Sequence, residues 1–485
     1  MRPELSQDQV SAEPLWTNLG LIGPLEARVS FGLSHSPTGI SIDTRTLADG
    51  DLFFAVQGDN SDGHDHVATA FEKGAAAAVV SEARADALNG VGPLYVVRDV
   101  LPALERLARA ARARTKARIA AVTGSVGKTS TKEALRLVLA DAGAVHASVA
   151  SYNNHWGVPL TLARMPRDTR FGVIEIGMNH AGEITPLVAM ARPHVVIITT
   201  VAPVHLEFFP NVEAIADAKA EIFSGLVPGG IAILNRDDAQ FDRLSAAARA
   251  SAAGHIATFG AAALADARLI DTTLAHDSTL VTAEILGQPI SYRIGAPGRH
   301  LALNSLAVLL TAKAFGLDLE AAAATLARFE APDGRGRRFV LQTGQGPFTL
   351  IDESYNANPA SVRAALALAG GLPMHGIFGR RIAVLGDMRE LGPRSDELHA
   401  ELAADVQINH VDTVFAAGPM MKHLFDALPT AVQGAWCASA TELEPIVADT
   451  VHAGDLVVVK GSNASQMSLI VKALKTRYPG TVAAS

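Results

Sequence analysis

Residues 121–135, AVTGSVGKTSTKEAL, place two glycines, a lysine and several hydroxyls at a spacing suited to holding phosphate. Gly124 and Gly127 let the backbone turn tightly with its N–H groups toward an anion, and the N-terminus of a following helix adds positive potential. Lys128 supplies a point charge and Thr129 a hydroxyl suited to a metal ion, while Ser125, Val126 and Ser130 complete the loop. The spacing is G-x-x-G-K-T, two residues shorter than the general G-x-x-x-x-G-K-[ST] pattern, so the generic motif is not matched as written. The context still fits a phosphate loop. An apolar run precedes it, and Ala134, Leu135, Val138, Leu139 and Ala142 recur at helical spacing after it.

Phosphoryl transfer builds up negative charge that metal ions and cations must neutralise, so further groups are expected at strand ends. Glu175, in VIEIGMNHAGE, closes an apolar run beside Gly177 at the edge where such sheets bind ligands; a buried structural glutamate would look the same. His205, in TTVAPVHLEFF, follows another apolar run and can either ligate a metal or serve as a satisfied structural histidine. Lys219, in IADAKAEIFSGL, has Ala216, Ile222 and Phe223 around it on an expected helix. Taken alone it reads as a lysine with a buried stem and a solvated head.

The elements that must position these groups follow from the pattern of the chain. Short Val, Ile and Leu runs alternate with Ala-rich helical stretches, which predicts an α/β protein with parallel sheets. ISIDTRT, DLFFAVQG, GAAAAVVS and LYVVRD form a first set of strands; ARIAAVTG, FGVIEIGM, PHVVIITTV and GIAILN a second; FTLIDES, RIAVLGD, TVFAAG and LVVVKGS a third. Three domains are expected, over 1–115, 116–328 and 329–485, in keeping with about 100–200 residues per domain for a chain of 485. The Arg-rich stretch LPALERLARAARARTKA between the first two reads as a solvated helix leading into a linker. The net charge of −8 argues against nucleic acid as a partner. A single cysteine, Cys437, excludes an internal disulfide and a Cys-rich zinc site and suits a reducing, cytoplasmic setting. No signal peptide and no membrane span is expected.

With these motifs in place, the chain resembles the Mur ligases, the ATP-dependent amide-forming enzymes that build the peptidoglycan stem peptide. TGSVGKTS is similar to their shortened phosphate loop. The resemblance implies a small α/β N-terminal domain, a central phosphate-loop sheet with helices on both faces, and a Rossmann-like C-terminal domain. It implies that Glu175, His205 and Thr129 hold magnesium, two ions in all, and that Lys219 is carbamylated and becomes a further ligand, with Lys128, Lys219 and His205 as catalytic groups. The strings DESYNANPASV, VLGDMRELG and VKGSNASQM are similar to those of the family member that joins D-alanyl-D-alanine to a UDP-N-acetylmuramoyl-tripeptide. By the same resemblance, Thr44 and Arg45 in SIDTRTLADGD meet the UDP moiety, and Asn153, Asn154 and His155 in SYNNHWGVPLTL form a substrate loop. His300 and Asn304 in GRHLALNS are implied on the adenine side of ATP, Arg335 in DGRGRR at its phosphates, and Asp352 at its ribose. Without the resemblance, Asn304, Arg335 and Asp352 have as lesser alternatives a helix hydrogen bonder, a surface charge and a strand-end cap. The run before His205 departs from the family, with Val204 where alanine is usual.

The implied reaction activates the terminal carboxylate of the tripeptide as an acyl phosphate, which the amine of the dipeptide then attacks, releasing ADP and phosphate. A monomer that closes around its substrates is expected. The group that deprotonates the incoming amine is not assigned; His155 and His180 are weak candidates. Competing readings are another Mur step, the related folate polyglutamylating enzyme, a nucleotide-binding scaffold without catalysis and an unrelated phosphate-loop ATPase. The third-domain strings oppose the first two, and the joint presence of Lys128, Glu175, His205 and Lys219 opposes the scaffold.

Overall fold

The computed structural model describes residues 13–482 except 31, 34, 59, 60, 150, 205 and 375–378. Among the described residues the strands form three sheets of five, nine and seven strands. All the strands read from the sequence are present in them. The central sheet runs in parallel from Val145–Ala147 through Phe171–Glu175, Arg118–Thr123, Val195–Ile198 and Gly230–Asn235 to Ala253–Gly260 and Ala267–Leu274. An antiparallel extension, Thr279–Ile285 and Gln288–Ile294, completes it. The side chains of its inner strands alternate between two cores. Val122, Val173 and Ile197 face the phosphate-loop helix Lys128–Ala140 and the helix Arg299–Ala314, while Ala121, Ile174, Val196 and Ile198 face helices Ile184–Ala191 and Val212–Ala220. Burial on both faces is why these strands read as unbroken apolar runs.

The antiparallel extension was not foreseen. Its strand Thr279–Ile285 alternates buried and exposed residues along its whole length, the pattern of a sheet with one wet face. It turns back through Leu286 and Gly287, both at positive φ (52° and 80°), as a two-residue hairpin requires. In the third sheet Leu456–Lys460 lies between Gly346–Glu353 and Arg381–Gly386, all parallel, with Arg337–Thr343 and Gly480–Val482 added antiparallel at one edge.

The Arg-rich stretch departs from its expected solvated character. Its helix, Val100–Arg114, buries Leu104, Leu107, Ala108 and Ala111 and packs between the first and central sheets. Arg112 is only 5% exposed; its Nε donates to Ala191 O at 2.7 Å and its Nη2 to Arg192 O at 3.0 Å, satisfying the C-terminal carbonyls of helix Ile184–Ala191. Arg114 stacks on Trp16 at 3.4 Å and donates to Leu15 O and Met165 O. The arginines therefore act as interdomain connectors, because a guanidinium can satisfy several carbonyls at once. Arg112→Met is expected to lower stability by about 1–3 kcal/mol, read as a lower midpoint of urea unfolding; an unchanged midpoint would remove this helix from the interdomain framework.

Candidate functional site

The phosphate loop joins strand Arg118–Thr123 to helix Lys128–Ala140, as its sequence context implies. Gly124 (φ 149°) lies so close to Thr199 that a Cβ would fall 1.9 Å from Thr199 Oγ1, and at Gly127 (φ 84°) a Cβ would fall 2.5 Å from Asn304 Nδ2. Both glycines are demanded by conformation and by contact. Thr199 Oγ1 donates to Val126 O at 2.6 Å and pins the loop from the neighbouring strand end. Lys128 Nζ donates to Gly124 O at 2.6 Å. Burial holds Lys128 below the usual lysine range, with Glu175 pulling it up and Arg335 pushing it further down.

Glu175 ends strand Phe171–Glu175 and is 1% exposed. Its Oε2 accepts from Thr129 Oγ1 at 2.9 Å and its Oε1 from Asn153 Nδ2 at 2.7 Å, so one carboxylate ties the phosphate-loop helix to the expected substrate loop. Lys219, on helix Val212–Ala220, is 2% exposed, and its Nζ donates no hydrogen bond among the described residues. Burial, with the charge of Lys128 added, pushes its ammonium well below the usual lysine range. This overturns the solvated-head reading of that lysine. His205 lies outside the described residues.

A cavity of about 500 Å³ opens above the loop, walled by the central sheet on one side and the third sheet on the other. Ser125, Val126, Gly127, Lys128, Ser130, Asn153, Glu175, His300, Asn304 and Arg335 all line it. Gly124 and Thr129 lie directly behind this lining through their bonds to Lys128 and Glu175. Arg335 spans the cleft: its Nη2 donates to Ser151 Oγ at 2.7 Å, and its guanidinium stacks 4.0 Å over the Tyr355 ring. Burial lowers the pKa of His300, opposed by Glu353 and reinforced by Lys460.

Asp352 is engaged within its own loop. It is 7% exposed and outside the cavity lining, with Oδ1 accepting from Ser354 N and Oγ (3.1 and 2.6 Å) and Oδ2 from Gly334 N (3.1 Å). Those bonds shape the loop that carries Arg335. The next residue, Glu353, faces the cavity together with Lys460, whose Nζ lies 3.2 Å from Glu353 Oε2 and donates to Asn356 O at 2.9 Å. Neither Glu353 nor Lys460 stands out within its string in the sequence. A signal was nonetheless present, since Asp-x-Ser forms an Asx turn that uses up the aspartate and adjacent strand residues point to opposite faces.

Asn154 and His155 are exposed, and Asn154 Oδ1 accepts from Trp156 N and Gly157 N at the start of helix Gly157–Ala163. Thr44 and Arg45 lie on the N-terminal unit, away from the cavity lining. Arg45 is 86% exposed and paired with Asp43, while Thr44 O accepts from Lys73 Nζ. The N-terminal unit is held to the substrate-loop region by Arg164 Nε donating to Ile40 O at 2.6 Å and by close packing of Gly58 against Trp156.

Three family models match the chain: "Mur ligase family, catalytic domain" over residues 37–115, "Mur ligase middle domain" over 122–312, and "Mur ligase, glutamate ligase domain" over 337–463. The chain is 33% identical over 432 residues to UDP-N-acetylmuramoyl-tripeptide--D-alanyl-D-alanine ligase of Rickettsia prowazekii, covering 89% of this chain and 94% of the relative. Its fold is similar to that of MurF from Acinetobacter baumannii (TM-score 0.83, 26% identity, 96% and 100% of the two chains). It is also similar to MurF ligase from Thermotoga maritima in complex with ADP (TM-score 0.74, 25% identity, 90% and 98%).

Gly127→Ala is expected to weaken ATP binding by about tenfold or more, because a side chain there is strained at φ 84° and collides with Asn304. Isothermal calorimetry checks this, and wild-type affinity in the variant would show that the loop does not need this turn.

Proposed function

The chain belongs to the Mur ligase family and is an ATP-dependent ligase, and on that premise we propose that it joins D-alanyl-D-alanine to UDP-N-acetylmuramoyl-tripeptide, as a monomer in the cytoplasm. The observation that carries the reading is the cavity in which the phosphate loop, Glu175 and Arg335 meet across two sheets. In this reading the units 1–115, 116–328 and 329–485 hold the UDP-substrate, ATP and the dipeptide in turn. Among the described residues no helix is long and apolar enough to cross a membrane.

The residues present fit a magnesium site. Glu175 is a buried carboxylate beside the Thr129 hydroxyl, and Lys219 is a buried amine whose charged form is disfavoured, so that it is available in the neutral state that captures carbon dioxide. Carbamylation would turn Lys219, which lies outside the cavity lining but within reach of the charge of Lys128, into an anion of the kind magnesium takes, with His205 as a further expected ligand. Magnesium, two ions in this reading, would supply neutralisation of the ATP phosphates.

The protein's own groups account for the rest. Loop N–H groups and Lys128 hold the β- and γ-phosphates, and Arg335 reaches them from the third sheet. His300 and Asn304 flank the nucleoside, with Glu353 in place of Asp352 as the cavity-facing carboxylate. Thr44 and Arg45 hold the uridine nucleotide, and the loop with Asn153, Asn154 and His155 presents the tripeptide. The tripeptide carboxylate oxygen attacks the γ-phosphorus as the bond to ADP breaks, giving an acyl phosphate. The neutral amine of the dipeptide, having lost a proton to solvent, then attacks the acyl carbon and inorganic phosphate leaves.

Phosphate release from ATP and magnesium with the UDP-tripeptide tests this, comparing D-alanyl-D-alanine, single amino acids and no amine, each with bicarbonate and in carbon dioxide-depleted buffer. Release that requires the dipeptide, a matching mass gain on the UDP-tripeptide and a slower rate after depletion are expected. Release with a single amino acid would assign the chain to another step, and no release with any amine would oppose ligase activity on this substrate.

A further inference from the structure

Lys132 lies one turn beyond Lys128 on the phosphate-loop helix, with none of its surface exposed. An ammonium is tolerated at such a depth only where its charge is paired and its donors are used. Its Nζ donates to Ser148 O at 2.8 Å and lies 2.7 Å from Glu133 Oε1, while Arg136 Nε donates to Glu133 Oε2 at 2.7 Å. Ser148 is 2% exposed and follows strand Val145–Ala147. Its Oγ accepts from Glu175 N at 3.1 Å. The chain then enters the loop whose Ser151 meets Arg335 and whose Asn153 donates to Glu175 Oε1. This cation, together with the bond from Ser148 N to Val173 O (3.1 Å), thus fixes the residue from which both the backbone of Glu175 and the loop bonded to its carboxylate are held.

We propose that Lys132 is a positioning residue that sets Glu175 for the metal ion by clamping Ser148 at the root of the substrate loop. It touches no reacting atom. Its role differs from that of Lys128, which faces the cavity, and it rests on the proposed metal-holding role of Glu175.

The test measures ATP affinity by calorimetry with and without magnesium for the wild type, Lys132→Met, Asn153→Ala and the double variant. Lys132→Met is expected to weaken magnesium-ATP binding by about tenfold while changing metal-free ATP binding by less than about twofold. In the Asn153→Ala background it should add little, because both substitutions act through Glu175. Equal losses with and without metal, full additivity of the two substitutions, or unchanged magnesium-ATP binding would each overturn the proposal. If Lys132→Met fails to fold, Ser148→Ala, which keeps the carbonyl that Lys132 holds and removes the hydroxyl that accepts from Glu175 N, tests the second link: a metal-selective loss supports transmission through Ser148, and wild-type binding overturns the proposal. A wild type that binds ATP equally well with and without magnesium would overturn the metal reading as well, whereas a metal-dependent wild type with an insensitive Lys132→Met overturns the clamp alone.

Discussion

A carboxylate 1% exposed at the end of a strand has to be hydrogen-bonded, and the two bonds Glu175 accepts join the parts of the site. Thr129 reaches it from the phosphate-loop helix and Asn153 from the loop after Val145–Ala147, so strand end, helix start and loop cannot move independently. The order of the strands makes this meeting possible. Phe171–Glu175 lies between Arg118–Thr123 and Val145–Ala147, which places the phosphate loop on one side of the carboxylate and the loop carrying Asn153 on the other. Packing on both faces of the sheet holds the strand ends rigidly enough for one polar residue among apolar ones to be placed reproducibly.

The cavity is not the property of one sheet. Its floor belongs to the central sheet, whereas Arg335, Glu353, Tyr355 and Lys460 belong to the third. Arg335 is held by stacking on Tyr355 within its own unit and by Ser151 across the cleft, so the same side chain that faces the phosphate loop also bridges the two units. The loop that carries it is shaped by Asp352, and the helix that follows starts on Asn358, whose side chain accepts from Ser361 N while Ser361 Oγ accepts from Asn358 N. Pro359 at the first helical position completes that start. Much of the distinctive string DESYNANPASV is thus the chemistry of a turn and a helix cap, while Glu353, Tyr355, Asn356 and the cap residues Asn358 and Ser361 line the cavity.

The fold was legible where burial on both faces of a strand leaves an unbroken apolar run, which covers the strands read from all three sheets. It was not legible in the antiparallel extension, whose weak alternation around Thr279–Ile285 competes with Ala-rich surroundings, or in the short strand Val145–Ala147, which is half-buried throughout. The phosphate loop and the contact between Thr129 and Glu175 follow from local motifs at adjoining strand ends. At Asp352 and Glu353 the motif identifies a string and not which of two neighbouring carboxylates faces the cavity. Lys132 went unread because nothing local separates it from a solvated helix lysine; only the packing of Ser148 over the helix reveals its depth. The arginines of Val100–Arg114 misled for a related reason, since their partners are carbonyls far away in sequence.

The claim on which this account depends is that Glu175 serves the nucleotide's metal ion and is not merely a structural hydrogen-bond acceptor. Glu175→Gln keeps the side chain's size and an oxygen to accept from Thr129, and removes the charge. The account predicts a folded protein that binds metal-free ATP as the wild type does, with magnesium-dependent ligation reduced by about a hundredfold or more. Ligation at close to the wild-type rate in that variant would contradict it.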